Sequence, residues 1–333
     1  MGGKGPGRAV WPDSWFVMDL KLFTDYKKRV IEGCEKVIVG KRDVIEKVLI
    51  CYLCSGHILL EDVPGTGKTM LLRAFAAVTG GTFKRVQFTP DLLPSDLTGL
   101  NIFDQKSGEF EFRPGPIFAN MVLGDEINRA TPRTQSSLLE AMAEHQVSVD
   151  GKTYRMADPF MIMATENPLE SYGTFPLPEA QKDRFLMRLS MGYPSRADEL
   201  TVLRREDTAV TVEKLTQLVT AEETAALKAQ IDEVTMAPDV ETYLLDIIEK
   251  TRMGGSIRTG VSTRGAIALY RTAKARAALS GRSYVQPEDV KAMAVPVLAH
   301  RIQTDNAGSM KEEETLIARL LDQVSVPTED IKA

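Results

Sequence analysis

The sequence predicts an α/β fold in which helices sandwich a parallel sheet, followed by a smaller all-helical domain. Three observations predict it. His57-Ile-Leu-Leu-Glu61 reads as a short buried strand that runs into a glycine-rich turn and then an alanine-rich helix to Val78, the order that opens a βαβ unit. More short apolar strands, at 84–88, 121–124, 160–164 and 184–189, alternate with helical or loop segments, as in a parallel sheet covered on both faces. From residue 195 to Ile302 only helical patterns remain.

Taken in order, residues 1–19 are glycine-rich, then aromatic, and read as an unstructured lead-in. From Leu20 to Ser55 apolar residues recur at helical spacing (Val44, Val48, Cys51), giving two helices joined around Val39-Gly40. Two hairpins interrupt the α/β unit. One spans 100–112 with turn residues 105–108; the other spans 147–154, where apolar alternation flanks Asp150-Gly151, a strong two-residue turn signal. The helical part carries patterns at 221–234, 240–252 and 263–279, with Pro238 and Pro287 in first-turn positions that tolerate proline. A charged amphipathic stretch at 311–324 reads as a last helix, ending before Pro327. The expected division is 20–194 for the α/β unit and 195–333 for the helical one.

Composition bounds the class. The 333 residues include 41 basic and 46 acidic side chains, a formal net charge of −5, and the pI is near 5.5. That balance argues against a dedicated duplex DNA binder. With 43% hydrophobic and 26% charged residues the chain is of ordinary globular composition. No apolar run approaches the roughly 20 residues a membrane span needs. Three cysteines are too few and odd in number for a disulfide framework, which fits a reducing cytoplasm.

Pro64-Gly-Thr-Gly-Lys-Thr69 carries the chemistry of a phosphate-binding loop. Gly65 and Gly67 let backbone N–H groups turn inward around phosphate oxygens, and the helix starting near Lys68 presents its positive end to the anion. Lys68 is expected to reach the β- and γ-phosphates of ATP, and the Thr69 hydroxyl to ligate Mg²⁺. Thr66 and Met70 complete the candidate nucleotide-binding run. The usual pattern begins with glycine; here Asp62 stands in its place. Met121-Val-Leu-Gly-Asp-Glu126 supplies the second half: an apolar strand ending in adjacent carboxylates at the sheet's C-terminal edge. Asp125 is expected to hold Mg²⁺, directly or through water, and Glu126 to act as general base on the attacking water. Together the motifs predict nucleoside triphosphate hydrolysis.

The surrounding residues resemble the MoxR family of AAA+ ATPases. The resembling stretches are Val39-Gly-Lys41, Leu59-Leu-Glu-Asp-Val-Pro-Gly65, Gly124-Asp-Glu-Ile-Asn-Arg-Ala130, Gln135-Ser-Ser-Leu-Leu-Glu-Ala-Met142, Ala164-Thr-Glu-Asn-Pro168, Pro178-Glu-Ala-Gln-Lys-Asp-Arg-Phe185 and Gly260-Val-Ser-Thr-Arg264, running in order over most of the chain. The resemblance implies the AAA+ P-loop architecture with a helical lid, and roles for further positions. Asn167 looks like the sensor-1 residue that orients water near the γ-phosphate, though Asn-Pro is also a turn signal. Arg184 looks like the finger reaching the neighbouring subunit's nucleotide, against the alternative of a surface or intrachain ion pair. Arg264 looks like sensor 2, with Arg252, Arg258 and Arg271 as competitors. Val39 and Gly40 would flank adenine. The hairpins look like inserts directed at a central pore, or else simple edge decorations. Their tips carry Lys106, Glu109, Asp150 and Lys152, a mixed set without the basic and aromatic cluster that grips nucleic acid.

By the same resemblance the protein is a Mg²⁺-dependent ATPase that forms a hexameric ring. It would work as a chaperone on a client complex through a partner containing a von Willebrand factor A (VWA) domain. A nucleic-acid-stimulated motor of the helicase-related subgroup is the alternative. Other signals are expected to be structural. Cys51-Tyr-Leu-Cys54 are buried thiols on a helix. The three histidines lack metal-ligand spacing. The methionines at 121, 161, 163, 187 and 191 are strand residues in the core. Arg271, Lys274, Arg276 and Arg282 are the solvated face of a lid helix.

Overall fold

The computed structural model describes residues 18–62, 65–166, 173–205, 211–304 and 309–327. Residues 1–17 of the expected lead-in, and Asn167, lie outside them. Helices α1 (Leu20–Glu35) and α2 (Arg42–Leu53) precede β1 (Ile58–Glu61) and α3 (Lys68–Thr79). Strand β2 (Phe83–Gln87) and the short α4 (Pro94–Thr98) lead to a hairpin of β3 (Gly99–Asp104) and β4 (Glu109–Pro114). Next come β5 (Met121–Asp125), α5 (Pro132–Glu144) and a second hairpin, β6 (Gln146–Val149) with β7 (Lys152–Arg155). Then β8 (Met161–Glu166), α6 (Glu179–Lys182) and β9 (Met187–Leu189) close the sheet. The lid follows: α7 (Arg196–Arg205), α8 (Ala221–Ile231), α9 (Pro238–Arg252), β10 (Ile257–Thr259), α10 (Thr263–Leu279), α11 (Pro287–Leu298), β11 (Gln303–Thr304) and α12 (Met310–Leu321).

The main sheet has the order β2-β5-β8-β1-β9, every pair parallel. Side chains alternate between its faces. Ile58, Leu60, Leu123, Met163 and Met187 pack with α1, α2 and α3 on one face. Leu59, Val122, Ile162 and Ala164 pack with Leu138, Leu139 and Met142 of α5 on the other. Each of these fully buried side chains larger than alanine contributes about 1.5–3 kcal/mol. Gly124 in β5 is required by packing, since a Cβ there would stand 2.8 Å from the Phe88 ring. His57 ties the strands to α5: its Nδ1 accepts from Ile162 N at 3.0 Å, so Nε2 carries the proton and donates to Met142 O at 3.1 Å. Burial pushes this imidazole down to about 4, which keeps it neutral.

Both hairpins form as expected, and Asp150 and Gly151 both adopt positive φ (49° and 78°), the geometry of a type I′ turn. All three cysteines are free and buried. Among the described residues no helix is long and apolar enough to cross a membrane.

Four expectations need correction. The lid is not purely helical, because β10 and β11 pair antiparallel. The last strand of the sheet begins at Met187, so Arg184 precedes it, while Met191 is in the core but lies beyond its end. Of the basic group on α10 and after it, Arg271 is exposed as expected, but the other three do not form a solvated face. Lys274 is 7% exposed and donates to Asp232 O at 2.6 Å, and Arg276 and Arg282 both pair with the fully buried Asp289 at the start of α11. Finally, the first hairpin does carry aromatics: Phe103 and Phe110 are exposed and meet edge to face at 5.4 Å.

Candidate active site

The glycine turn after β1 and the carboxylates ending β5 meet across one cleft of about 420 Å³. Gly65 and Gly67 have φ of 85° and 89°. A Cβ at Gly65 would meet nothing within 4 Å, so glycine is needed there for the left-handed backbone and not for space. The turn delivers Lys68 and Thr69 to the first turn of α3, whose unpaired N–H groups face the cleft. Lys68 Nζ donates to Asp62 O at 3.2 Å. Asp62 in turn accepts from the backbone N–H groups of Met191 and Gly192 and from Ser190 Oγ, so it fixes the segment after β9 beneath the loop. Thr66 and Met70 also line the cleft, Met70 with 44% of its surface exposed.

Opposite the loop stands a hydrogen-bonded set. Asp125 is 7% exposed and accepts from Arg85 Nε at 2.6 Å and from Thr165 Oγ1 at 3.5 Å. Glu126 adopts φ 59°, unusual for a residue with a side chain, and its N–H donates to Thr165 Oγ1 at 2.9 Å. That backbone turn throws the two adjacent carboxylates into the same cleft instead of onto opposite faces. The Glu126 carboxylate accepts from Gln87 Nε2 at 2.8 Å and from Arg129 Nη1 at 3.0 Å.

The structure therefore brings Gly65, Thr66, Gly67, Lys68, Thr69, Met70, Asp125 and Glu126 together. Val39 and Gly40 do not line this cleft; they lie in the α1–α2 link, where Gly40 abuts Asp198 of α7 and Lys41 Nζ bonds the carbonyls of Gly192 and Tyr193. Arg184 is half-buried outside it, donating to Leu139 O at 2.6 Å. Arg264 opens α10, exposed, 3.7 Å from Asp183 Oδ2. Sequence reasoning missed Arg85, Gln87, Thr165 and Arg129. Alternation along β2 puts Arg85 and Gln87 on one face, but only the pairing of β2 with β5 (Gln87 opposite Asp125) reveals which face meets the carboxylates.

Thr69 and Asp125 both line the cleft, and a hydroxyl with a carboxylate is the kind of oxygen donor set that fits a hard cation such as Mg²⁺. Among the described residues no cluster of three or more His, Cys, Asp or Glu could hold a metal alone.

A five-stranded parallel sheet, a phosphate-type loop facing an Asp-Glu pair, and a helical lid define an ATPase of the AAA+ class. Residues 57–187 match the ATPase family associated with various cellular activities (AAA), and residues 249–320 match the AAA lid domain. YeaC of Bacillus subtilis is 47% identical over 90% of this chain and 95% of its own length. Chaperone MoxR1 of Mycobacterium tuberculosis is 38% identical over 90% of this chain and 82% of its own. A solved protein from Cytophaga hutchinsonii, provisionally named an ATPase, superposes with a TM-score of 0.85 at 38% identity, covering 93% and 97% of the two chains. The chain belongs to the MoxR family of AAA+ ATPases.

Proposed function

We propose that this ATPase turns over ATP in the cleft between the Gly65–Thr69 loop and the Asp125–Glu126 pair, and uses the cycle to remodel a client protein complex. The convergence of those two motifs on one cleft is the observation that carries the reading. In it, loop N–H groups and Lys68 bind and orient the phosphates, and Glu126 takes the proton of the attacking water. Thr69 and Asp125 would hold Mg²⁺, which when bound neutralises phosphate charge. Thr165 holds Asp125 and the Glu126 backbone in register. Asn167 acts as sensor 1, Arg264 as sensor 2, and Val39 and Gly40 flank the adenine ring.

The nucleotide-binding unit is taken as residues 20–194 and the lid as 195–333. Protomers assemble into a hexameric ring in which Arg184 serves the neighbouring site, where a guanidinium is worth roughly 10³–10⁵ in rate. The chaperone reading draws on likeness to the relative named Chaperone MoxR1, and the VWA-domain partner on likeness to the family. The exposed Phe103–Phe110 pair on the first hairpin offers an apolar grip for a polypeptide. The test is affinity capture with Glu126→Gln protein held in ATP. Retention of a VWA-domain protein together with a client complex supports the reading. Capture of neither, together with native protein whose ATP hydrolysis is stimulated by single-stranded DNA in a salt-sensitive way, overturns it in favour of a nucleic-acid motor.

A further inference from the structure

The segment that carries Arg184 is held from two sides: in the α/β unit Arg184 Nη1 donates to Leu139 O at 2.6 Å and Leu186 N to His57 O at 2.8 Å, and the lid supplies a second set of bonds. Arg301, in the turn after α11, is 8% exposed and uses all three guanidinium nitrogens. Its Nε donates to Asp183 Oδ1 at 2.8 Å, Nη1 to Leu186 O at 3.1 Å and to Val297 O, and Nη2 to Asp183 O at 3.3 Å and Phe185 O at 2.5 Å. The buried His300 next to it adds a bond from Nε2 to Phe185 O at 3.0 Å. From the opening of α10, Ser262 Oγ reaches Asp183 Oδ2 at 3.1 Å and Arg264 lies 3.7 Å from the same oxygen. Carbonyls on both sides of Arg184, and the carboxylate before it, thus accept from the lid.

We infer that Asp183, with the His300-Arg301 grip, is a positioning device that makes presentation of Arg184 to the adjoining protomer follow the position of the lid. Breaking the contact would strand a buried guanidinium and several buried carbonyls without partners, so a shift of the lid pulls on the segment against its bonds to Leu139 and His57 instead of letting go. Arg264 sits on the same carboxylate, so a nucleotide that draws Arg264 toward its phosphates competes with Asp183 for it. Occupancy of a protomer's own cleft is thereby transmitted to the arginine it offers next door. The inference rests on the reading of Arg184 as a finger acting across the ring and of Arg264 as sensor 2.

Mixed rings test it on the full chain. Glu126→Gln protomers keep Arg184 but do not turn over; Arg184→Ala protomers keep an intact cleft but offer no finger. Hydrolysis regained on mixing arises in Arg184→Ala clefts served by Glu126→Gln neighbours. Asp183→Asn, which preserves shape, is then added to one partner at a time. Placed in the finger donor it is expected to lower the regained rate at least tenfold with the KM for ATP unchanged. Placed in the cleft-bearing partner it is expected to change the rate less than threefold. Arg301→Lys, which keeps the charge but loses the fork across Asp183, Phe185 and Leu186, is expected to give the same asymmetry. Equal losses in both positions, or no loss in the donor, overturn the inference while leaving the finger reading intact. If the unmodified mixture regains nothing, the finger reading itself falls and this inference with it.

Discussion

Arg85 Nε lies 2.6 Å from Asp125 Oδ2, so the carboxylate proposed to hold Mg²⁺ is already engaged by an arginine from the neighbouring strand. Arg85 is 55% exposed at its side chain, so the pair is worth about 1 kcal/mol or less. A cation must displace it. Arg85→Ala should therefore lower the Mg²⁺ concentration giving half-maximal ATP hydrolysis by up to about fivefold, since 1 kcal/mol is about that factor. Mg²⁺ titration of phosphate release at saturating ATP measures it. A requirement that rises instead would mean Arg85 helps build the site.

Glu126→Gln tests the base. General-base assistance is worth roughly 10²–10⁴ in rate, so turnover should fall at least about a hundredfold. Affinity for a fluorescent ATP analogue should stay within about threefold, because the phosphate contacts come from the loop around Lys68. Phosphate release and equilibrium titration decide the matter; a tenth of the native rate surviving would remove Glu126 from the role.

Glu166, at the end of β8, is pushed up to about 7 by burial, with Lys182 opposing and the neighbouring Glu61 reinforcing the rise. The folded chain therefore holds this proton over a range, from about pH 4.5 to 7, where the unfolded chain has released it. Its contribution to stability falls as pH climbs through that range, with a ceiling of about 3 kcal/mol. Glu166→Gln is expected to raise stability at pH 8 by about 1–3 kcal/mol and to change it little at pH 4. His57 runs the other way, costing stability as pH falls from 6.5 toward 4. The two slopes oppose each other in the overlap, so only denaturation of the substituted chain at both pH values isolates the carboxyl.

Gly115→Ala is expected to cost about 3 kcal/mol or to detach the first hairpin. A Cβ there would come within 2.0 Å of Leu97 O and 2.6 Å of Gly99 N, both backbone atoms that cannot swing aside. Gly108→Ala, at the open turn, meets nothing within 4 Å and suffers only its positive φ, so about 1 kcal/mol is expected. Urea denaturation ranks the two, and limited proteolysis around residues 99–114 reports detachment.

Much of the fold was readable because its signals are local. Asp150-Gly151 names its own turn, the apolar strands carry their own length, and Gly65 and Gly67 sit where only a left-handed backbone serves. What stayed hidden depended on pairing between distant segments. Strands β10 and β11 are three and two residues long and meet across more than forty residues, too short for alternation to register. Arg85 and Gln87 join the site only because β2 lies beside β5. Arg276 and Arg282 looked solvated because their common partner, Asp289, belongs to the next helix.

The two hairpins are fastened together. Phe112 of the first stacks on Tyr154 of the second at 3.8 Å, and Asn101 donates to Asp150 at 2.7 Å. In the proposed ring a stroke delivered to either would be shared by both, so each protomer would present them as a single broad paddle. A client of that ring would then meet one joined surface and not two independent fingers.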